Sequence, residues 1–293
     1  MSSETAATGV LSSEVNISKL SNEEREIRMW QKIRSGESIE SLEEMSDDYF
    51  QSLINLMLQQ ADSELAGAFG YVPWIMQAPT TEEKLAVADI VKDEVSHARA
   101  MYRLLENLGI DVDSHVAKYD YAFRVDVNSD DLKNNRAADD RRVNIFYYPI
   151  NTWVDFIVFQ FCMVRGAGHQ LEDVRKSTYG PWKREIERIF KEGMMHIGHD
   201  DCWMKKMALD KTTKSEVQAA LNRWYLRTMN IFGQPKSRRN ETYRKYGLKR
   251  RDNDDVRKAF SDEIRLKCSE LGLKLPEWKP EWKRIGEDGV VPG

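Results

Sequence analysis

The chain has 293 residues, 41% of them hydrophobic and 31% charged, and a formal net charge of -4; this is the balance of a folded globular protein, not of a disordered one. No apolar run is long enough to span a bilayer, the first residues lack a basic-then-apolar leader, and the small negative charge gives no footprint for nucleic acid, so neither a membrane nor a nucleic-acid partner is expected and a cytoplasmic location is. Cys162, Cys202 and Cys268 are odd in number and form no C-x-x-C pair, which argues against a disulfide framework or a thiolate zinc site and for reduced thiols.

Residues 1–20, rich in Ser, Thr, Glu and Ala without apolar periodicity, read as a flexible tail. Ser21-Asn22-Glu23-Glu24 predicts a capping box and a short helix to about Ile33. From Asp47 the residues Tyr49, Leu53, Leu56, Met57, Gln60 and Glu64 recur at helical spacing, giving a first bundle helix that Tyr71-Val72-Pro73-Trp74 is expected to end. Thr80, three residues before Glu83, caps a second helix that runs to Gly109. Ile110 to Pro149 reads as a long crossover carrying short helices, in which His115 looks like a surface residue.

Thr152 then caps a third helix, apolar around most of its circumference through Trp153, Phe156, Ile157, Phe159 and Phe161. Tyr179-Gly180-Pro181 breaks the chain and starts a fourth with Ile186, Ile189, Phe190, Met194, Ile197 and Met204; its methionines read as core filler. Thr213-Lys214-Ser215-Glu216 predicts a capped fifth helix, a basic loop holds Arg238, Arg239, Lys245, Lys249, Arg250 and Arg251, and Asp255 to Gly272 forms a sixth. The expectation is an all-α four-helix bundle over residues 21–275 with additional C-terminal helices, followed by a tail over 276–293.

The chemistry gathers on four positions in this frame. Glu94 and His97 form an E-x-x-H pair, which puts a carboxylate and an imidazole on one helical face, and Glu64 stands on the preceding helix. A lone Glu followed by E-x-x-H is half of the ligand set of a carboxylate-bridged di-metal centre, binding iron or manganese between helices. The alternative for Glu64 is a solvated position or a salt bridge to a neighbouring helix. In the second half His196 is present, but Gly193 stands where E-x-x-H requires Glu, and the third helix has no acid before Glu172. Glu192, only about 40° around the helix from His196, either completes a second position or is solvated. His169 and His199 either add an imidazole or are ordinary hydrogen-bonded histidines.

These motifs, with Trp74-Ile75-Met76-Gln77-Ala78-Pro79-Thr80, Thr178-Tyr179-Gly180-Pro181 and Ile231-Phe232-Gly233, resemble the phenylacetic acid catabolic protein family, the ferritin-like catalytic subunits of ring-1,2-phenylacetyl-CoA epoxidases, over about residues 45 to 275. The resemblance implies a ferritin-like fold and a di-iron oxygenase subunit that inserts one oxygen atom into the ring of an aryl-CoA thioester, working with a reductase and with a homologous helical subunit. It assigns Glu64, Glu94, His97 and His196 to iron ligands. Two family ligands fall near Arg165 and on Gly193, and Arg165 is expected to repel cations or to pair with Glu64 or Glu94. Those departures keep a second reading open, a metal-poor scaffold or regulatory subunit of the same assembly; a ferroxidase or storage protein fits the aromatic third helix less well. Phe69, Phe161 and Ile197 are expected to wall the pocket, and Arg99, Arg103, Lys183 and Arg184 are candidates for the CoA phosphates. Trp278 and Trp282 either anchor a partner or pack on the chain's own bundle.

Overall fold

A computed structural model of the chain describes residues 20–118, 141–282 and 285; nearly all of the first expected tail, the middle of the crossover and much of the last tail lie outside them. Among the described residues the structure is helical, without a strand: α1 (Asn22–Arg34), α2 (Asp47–Gln77), α3 (Thr81–Asn107), α4 (Val112–Val116), α5 (Trp153–Val174), α6 (Gly180–Leu209), α7 (Lys214–Met229), α8 (Arg238–Lys245) and α9 (Asn253–Glu270). α2 packs along α3 and α5 along α6, the pairs meet through α3 against α6 and α2 against α5, and α7 and α9 lean on α5. This is the all-α bundle that the helical periodicities predict, and it fits the ferritin-like fold that the resemblance implies.

Local signals explain most of the ends. Ser21 and Glu24 make the full reciprocal capping box of α1, and the hydroxyls of Thr80 and Thr152 accept from the backbone N–H of Glu83 and Asp155, so α3 and α5 start where their caps place them. Gly109, at φ 83°, ends the second helix region in the left-handed conformation that glycine adopts without strain. Three expectations are corrected. Pro73 does not end α2, which continues to Gln77; the ring deletes the amide that would bond the Phe69 carbonyl, and the helix tolerates this near its end, on the side where Phe69 and Val72 are exposed. Thr213 flanks α7 without capping it, because its hydroxyl donates to the Met207 carbonyl instead. The basic loop contains α8, which Ser237 caps through the Asn240 N–H.

The core is two bodies of apolar side chains with a waist between them. One holds Ala66, Tyr71 and Trp74 of α2, Val87 and Ile90 of α3, Val154 to Met163 of α5 and Met204 to Ala208 of α6. The other holds Tyr49 to Ala61 of α2, Ala98 to Leu105 of α3, Val174 of α5 and Trp182 to Ile189 of α6. On all four helices the apolar stripe therefore breaks at one level. Charged side chains there are costly to bury unless paired or bound to a cation.

His115 is not a surface residue. It lies 3% exposed on α4, its Nε2 2.9 Å from Asp62 Oδ1, and the Tyr102 hydroxyl donates to the same oxygen at 2.7 Å. Those two contacts tie α4 to the α2–α3 hairpin just beside the waist. At the C-terminal end Trp278 packs on the chain's own bundle, donating to Asn230 Oδ1 at 2.9 Å with the Arg257 guanidinium over its ring, and Trp282 meets it edge-on.

Candidate metal centre

The waist opens as a cleft of about 140 Å³ between the two hairpins. Glu64, Glu94 and His97 line it, with Met163, Val164, Ile189, Phe190, Ile197 and Phe232 as apolar walls and Gly168 and Gly193 where side chains would otherwise intrude. One ligand atom from each of Glu64, Glu94 and His97 lies within 4.8 Å of the others. The helix phases of α2 and α3 produce this: Glu94 and His97 share a face, and the antiparallel partner brings Glu64 to their level.

Hydrogen bonds fix the cluster from outside. Trp182 Nε1 donates to Gln60 Oε1 at 2.9 Å and Gln60 Nε2 donates to Glu64 Oε1 at 3.3 Å, so α6 orients a carboxylate on α2. His97 stands between two acids, with Nδ1 3.7 Å from Glu64 Oε2 and Nε2 2.7 Å from Glu192 Oε2. Burial raises the proton affinity of the Glu64 carboxyl, but the bond and charge of His97 outweigh it and hold the group below the usual carboxylate range. Burial and then the negative charge of Glu64 push Glu94 well above that range. The two carboxylates thus oppose each other's ionisation, a conflict that a cation relieves. Burial opposes protonation of His97, yet Glu64 and then Glu192 raise it above its ordinary value. Tyr71, on the same cleft, is pushed up by burial and by the charges of Glu94 and Glu64, so its phenol keeps its proton.

The other anticipated residues are placed as follows. Glu192 reaches the cluster through His97 and is gripped by Arg188, whose Nη1 lies 2.9 Å from each of its oxygens. His196 lines the cleft with Nε2 3.3 Å from Asp93 Oδ2. His199 bridges α6 to α3, 2.8 Å from Glu83 Oε2, and His169 lies 2.8 Å from Glu263 Oε2 of α9. Arg165 pairs with neither Glu64 nor Glu94: its fully buried side chain points to the opposite side of α5, with Nε 3.0 Å from Glu263 Oε1, Nη2 2.5 Å from Asp201 Oδ1 and the guanidinium over the Phe161 ring. Lys267 closes this network on Asp201 at 2.9 Å.

Of the expected walls, Ile197 lines the cleft, whereas Phe69 is 56% exposed and Phe161 is buried away from it. Arg99, Arg103, Lys183 and Arg184 are exposed and none lines the cleft, and Arg184 is held by Glu40 at 2.9 Å. The lysine that does line it is Lys249, beyond α8. Sequence reasoning also passed over Asp93, Glu83 and Tyr71. Asp93 and Glu83 sit at helical spacing on the α3 face that Glu94 and His97 continue, a signal that was there to use.

The donor set fits one divalent cation: two half-buried carboxylates and a buried imidazole nitrogen converge on a largely apolar cleft. Among the described residues no second group of three such donors lies within the same reach.

Comparison with known proteins agrees with this architecture. The chain is 28% identical over 263 residues to one of the subunits of 1,2-phenylacetyl-CoA epoxidase from Escherichia coli (strain K12), spanning 86% of this chain and 78% of that one. Residues 25–290 match the family described as phenylacetic acid catabolic protein, and the chain belongs to that family.

Proposed function

We propose that this chain is the metal-bearing oxygenase subunit of an epoxidase-type assembly in phenylacetate catabolism, inserting one oxygen atom into the aromatic ring of an aryl-CoA thioester. The observation that carries this is the convergence of half-buried Glu64 and Glu94 with buried His97 on the wall of the cleft, supported by the likeness to a phenylacetyl-CoA epoxidase chain. Glu64, Glu94 and His97 would hold the iron, which when bound supplies the electron and O₂ chemistry that side chains lack. The chain's own part is placement. An apolar cavity of about 150 Å³ accepts a benzene ring, and this cleft is of that size. Met163, Val164, Phe190, Ile197 and Phe232 would orient the ring and keep water out. Tyr71 would stay neutral beside the carboxylates as a hydrogen-bond donor. The partners in this reading are a reductase and a homologous helical subunit, in the cytoplasm.

The test is turnover of phenylacetyl-CoA under ¹⁸O₂ by the iron-loaded chain assembled with its reductase and its helical partner subunit. One labelled oxygen in the product, lost in Glu94→Ala, is expected; no label with the loaded parent would end the proposal. Gly193 and the lack of an acid on α5 between Val164 and Gln170 favour a second reading, a scaffold or regulatory subunit, under which the protein binds no stoichiometric metal and Glu94→Ala changes nothing.

A further inference from the structure

We propose that the centre takes a single ion, held by Glu64, Glu94 and Nδ1 of His97, and that Glu192 acts as the positioning residue of His97 instead of a ligand to a second ion. This rests on the metal-bearing reading above.

The imidazole decides the first part. A histidine that binds a cation through one nitrogen donates the N–H of the other, and a carboxylate acceptor there fixes the tautomer and strengthens the ligand. His97 has that layout: Nδ1 faces the Glu64 side, and Nε2 is 2.7 Å from Glu192. Glu192 is itself held in place one helical turn from Arg188, which reaches both its oxygens at 2.9 Å. To ligate a cation it would have to give up two charge-assisted hydrogen bonds, each stronger than a neutral one. Charge gives the same answer, since one divalent ion balances Glu64 and Glu94 while Arg188 already balances Glu192.

The opposite hairpin offers a second ion too little. At the waist α5 carries Val164, Arg165, Gly166, Ala167, Gly168, His169 and Gln170, without an acid. Its one fixed charge, Arg165, is committed to Glu263 and Asp201, and His169 is spent on Glu263 as well. α6 contributes Gly193, which has no donor, and His196, which stands against Asp93. The two irons that the resemblance implies therefore do not fit the residues present, whereas one does.

The experiment is anaerobic titration of the full-length apoprotein with Fe(II), and with Co(II) for its ligand-field spectrum, in the parent, Glu192→Ala and Glu192→Gln. One ion per chain is expected in all three. Glu192→Ala should bind 10–100-fold more weakly, the range typical of an outer-shell partner, with the band intensities of the Co(II) spectrum kept. Glu192→Gln should recover part of the loss, because its carbonyl oxygen still accepts from Nε2–H. Two ions in the parent would overturn the inference and leave the oxygenase reading standing; none would overturn both. An unchanged affinity in Glu192→Ala, or a changed coordination number, would remove the positioning role.

Discussion

The two hairpins of the bundle meet the same break in the core and resolve it differently. α2 and α3 turn their polar residues inward, so that Glu64, Glu94 and His97 face one another across the cleft. α5 turns its charges away from the cleft: Arg165 and His169 go to Glu263 of α9, and Arg165 with Lys267 of α9 to Asp201 of α6. On the cleft side α5 and α6 leave mostly small or apolar positions, Val164, Ala167, Gly168 and Gly193 among them, with Gln170 and His196 and no carboxylate. A buried charge must find a partner, and the partner is either an ion in the cleft or a side chain on the next helix. α9 behind α5 supplies that side-chain partner to Arg165 and His169.

Arg165→Asp is the strongest way to break this contrast. Replacing a fully buried guanidinium by an acid leaves Glu263 and Asp201 facing a third carboxylate, and losing one partner of a buried pair costs roughly 3–5 kcal/mol. Urea unfolding should show that loss without any metal present. A change below about 1 kcal/mol, the scale of an exposed pair, would mean that α5 does not hold its charges on α9.

His199 tests the seam between the hairpins, since it joins α6 to Glu83 of α3. Its hydrogen bond to Asp200, against the opposing effect of burial and with help from Glu83, lifts its pKa from 6.5 to about 9. The folded state therefore binds this proton more tightly than the unfolded chain. The stabilisation is complete below pH 6.5, declines from there as pH rises, and is gone above about pH 9, a difference on the order of 3 kcal/mol. Unfolding free energies of the parent and His199→Gln should diverge most near pH 6 and converge above pH 9; parallel curves would show that the bridge is not ionic.

The sequence carried the helices and the first half of the site because both depend on local spacing. Thr80 and Thr152 cap by short-range bonds, and E-x-x-H aligns its donors within one turn. What it hid depends on contacts between distant helices. Nothing near Arg165 says which side of α5 it faces; only the i, i+4 spacing of Arg165 and His169, which both reach Glu263 on α9, hints at it, and that requires knowing that the two helices touch. The burial of His115 is hidden for the same reason, because its partner Asp62 lies 53 residues away. Glu192 was recognised as a neighbour of the site, but its grip by Arg188 belongs to side-chain geometry rather than to spacing.

Gly193→Glu is the mildest change for stability and the most informative for the comparison. A Cβ built at Gly193 meets nothing within 4 Å, so the helix gains a better former, by roughly half a kcal/mol, without crowding. The consequence for the cleft is larger, because α6 then presents a carboxylate one turn before His196, the arrangement that Glu94 and His97 already have on α3. Under single-ion occupancy of the parent, Fe(II) titration of Gly193→Glu should rise from one ion toward two, even with Arg165 left where it is. If the variant folds as well as the parent and still takes one ion, position 193 is not what separates the two hairpins, and the missing acid on α5 between Val164 and His169 becomes the deciding absence.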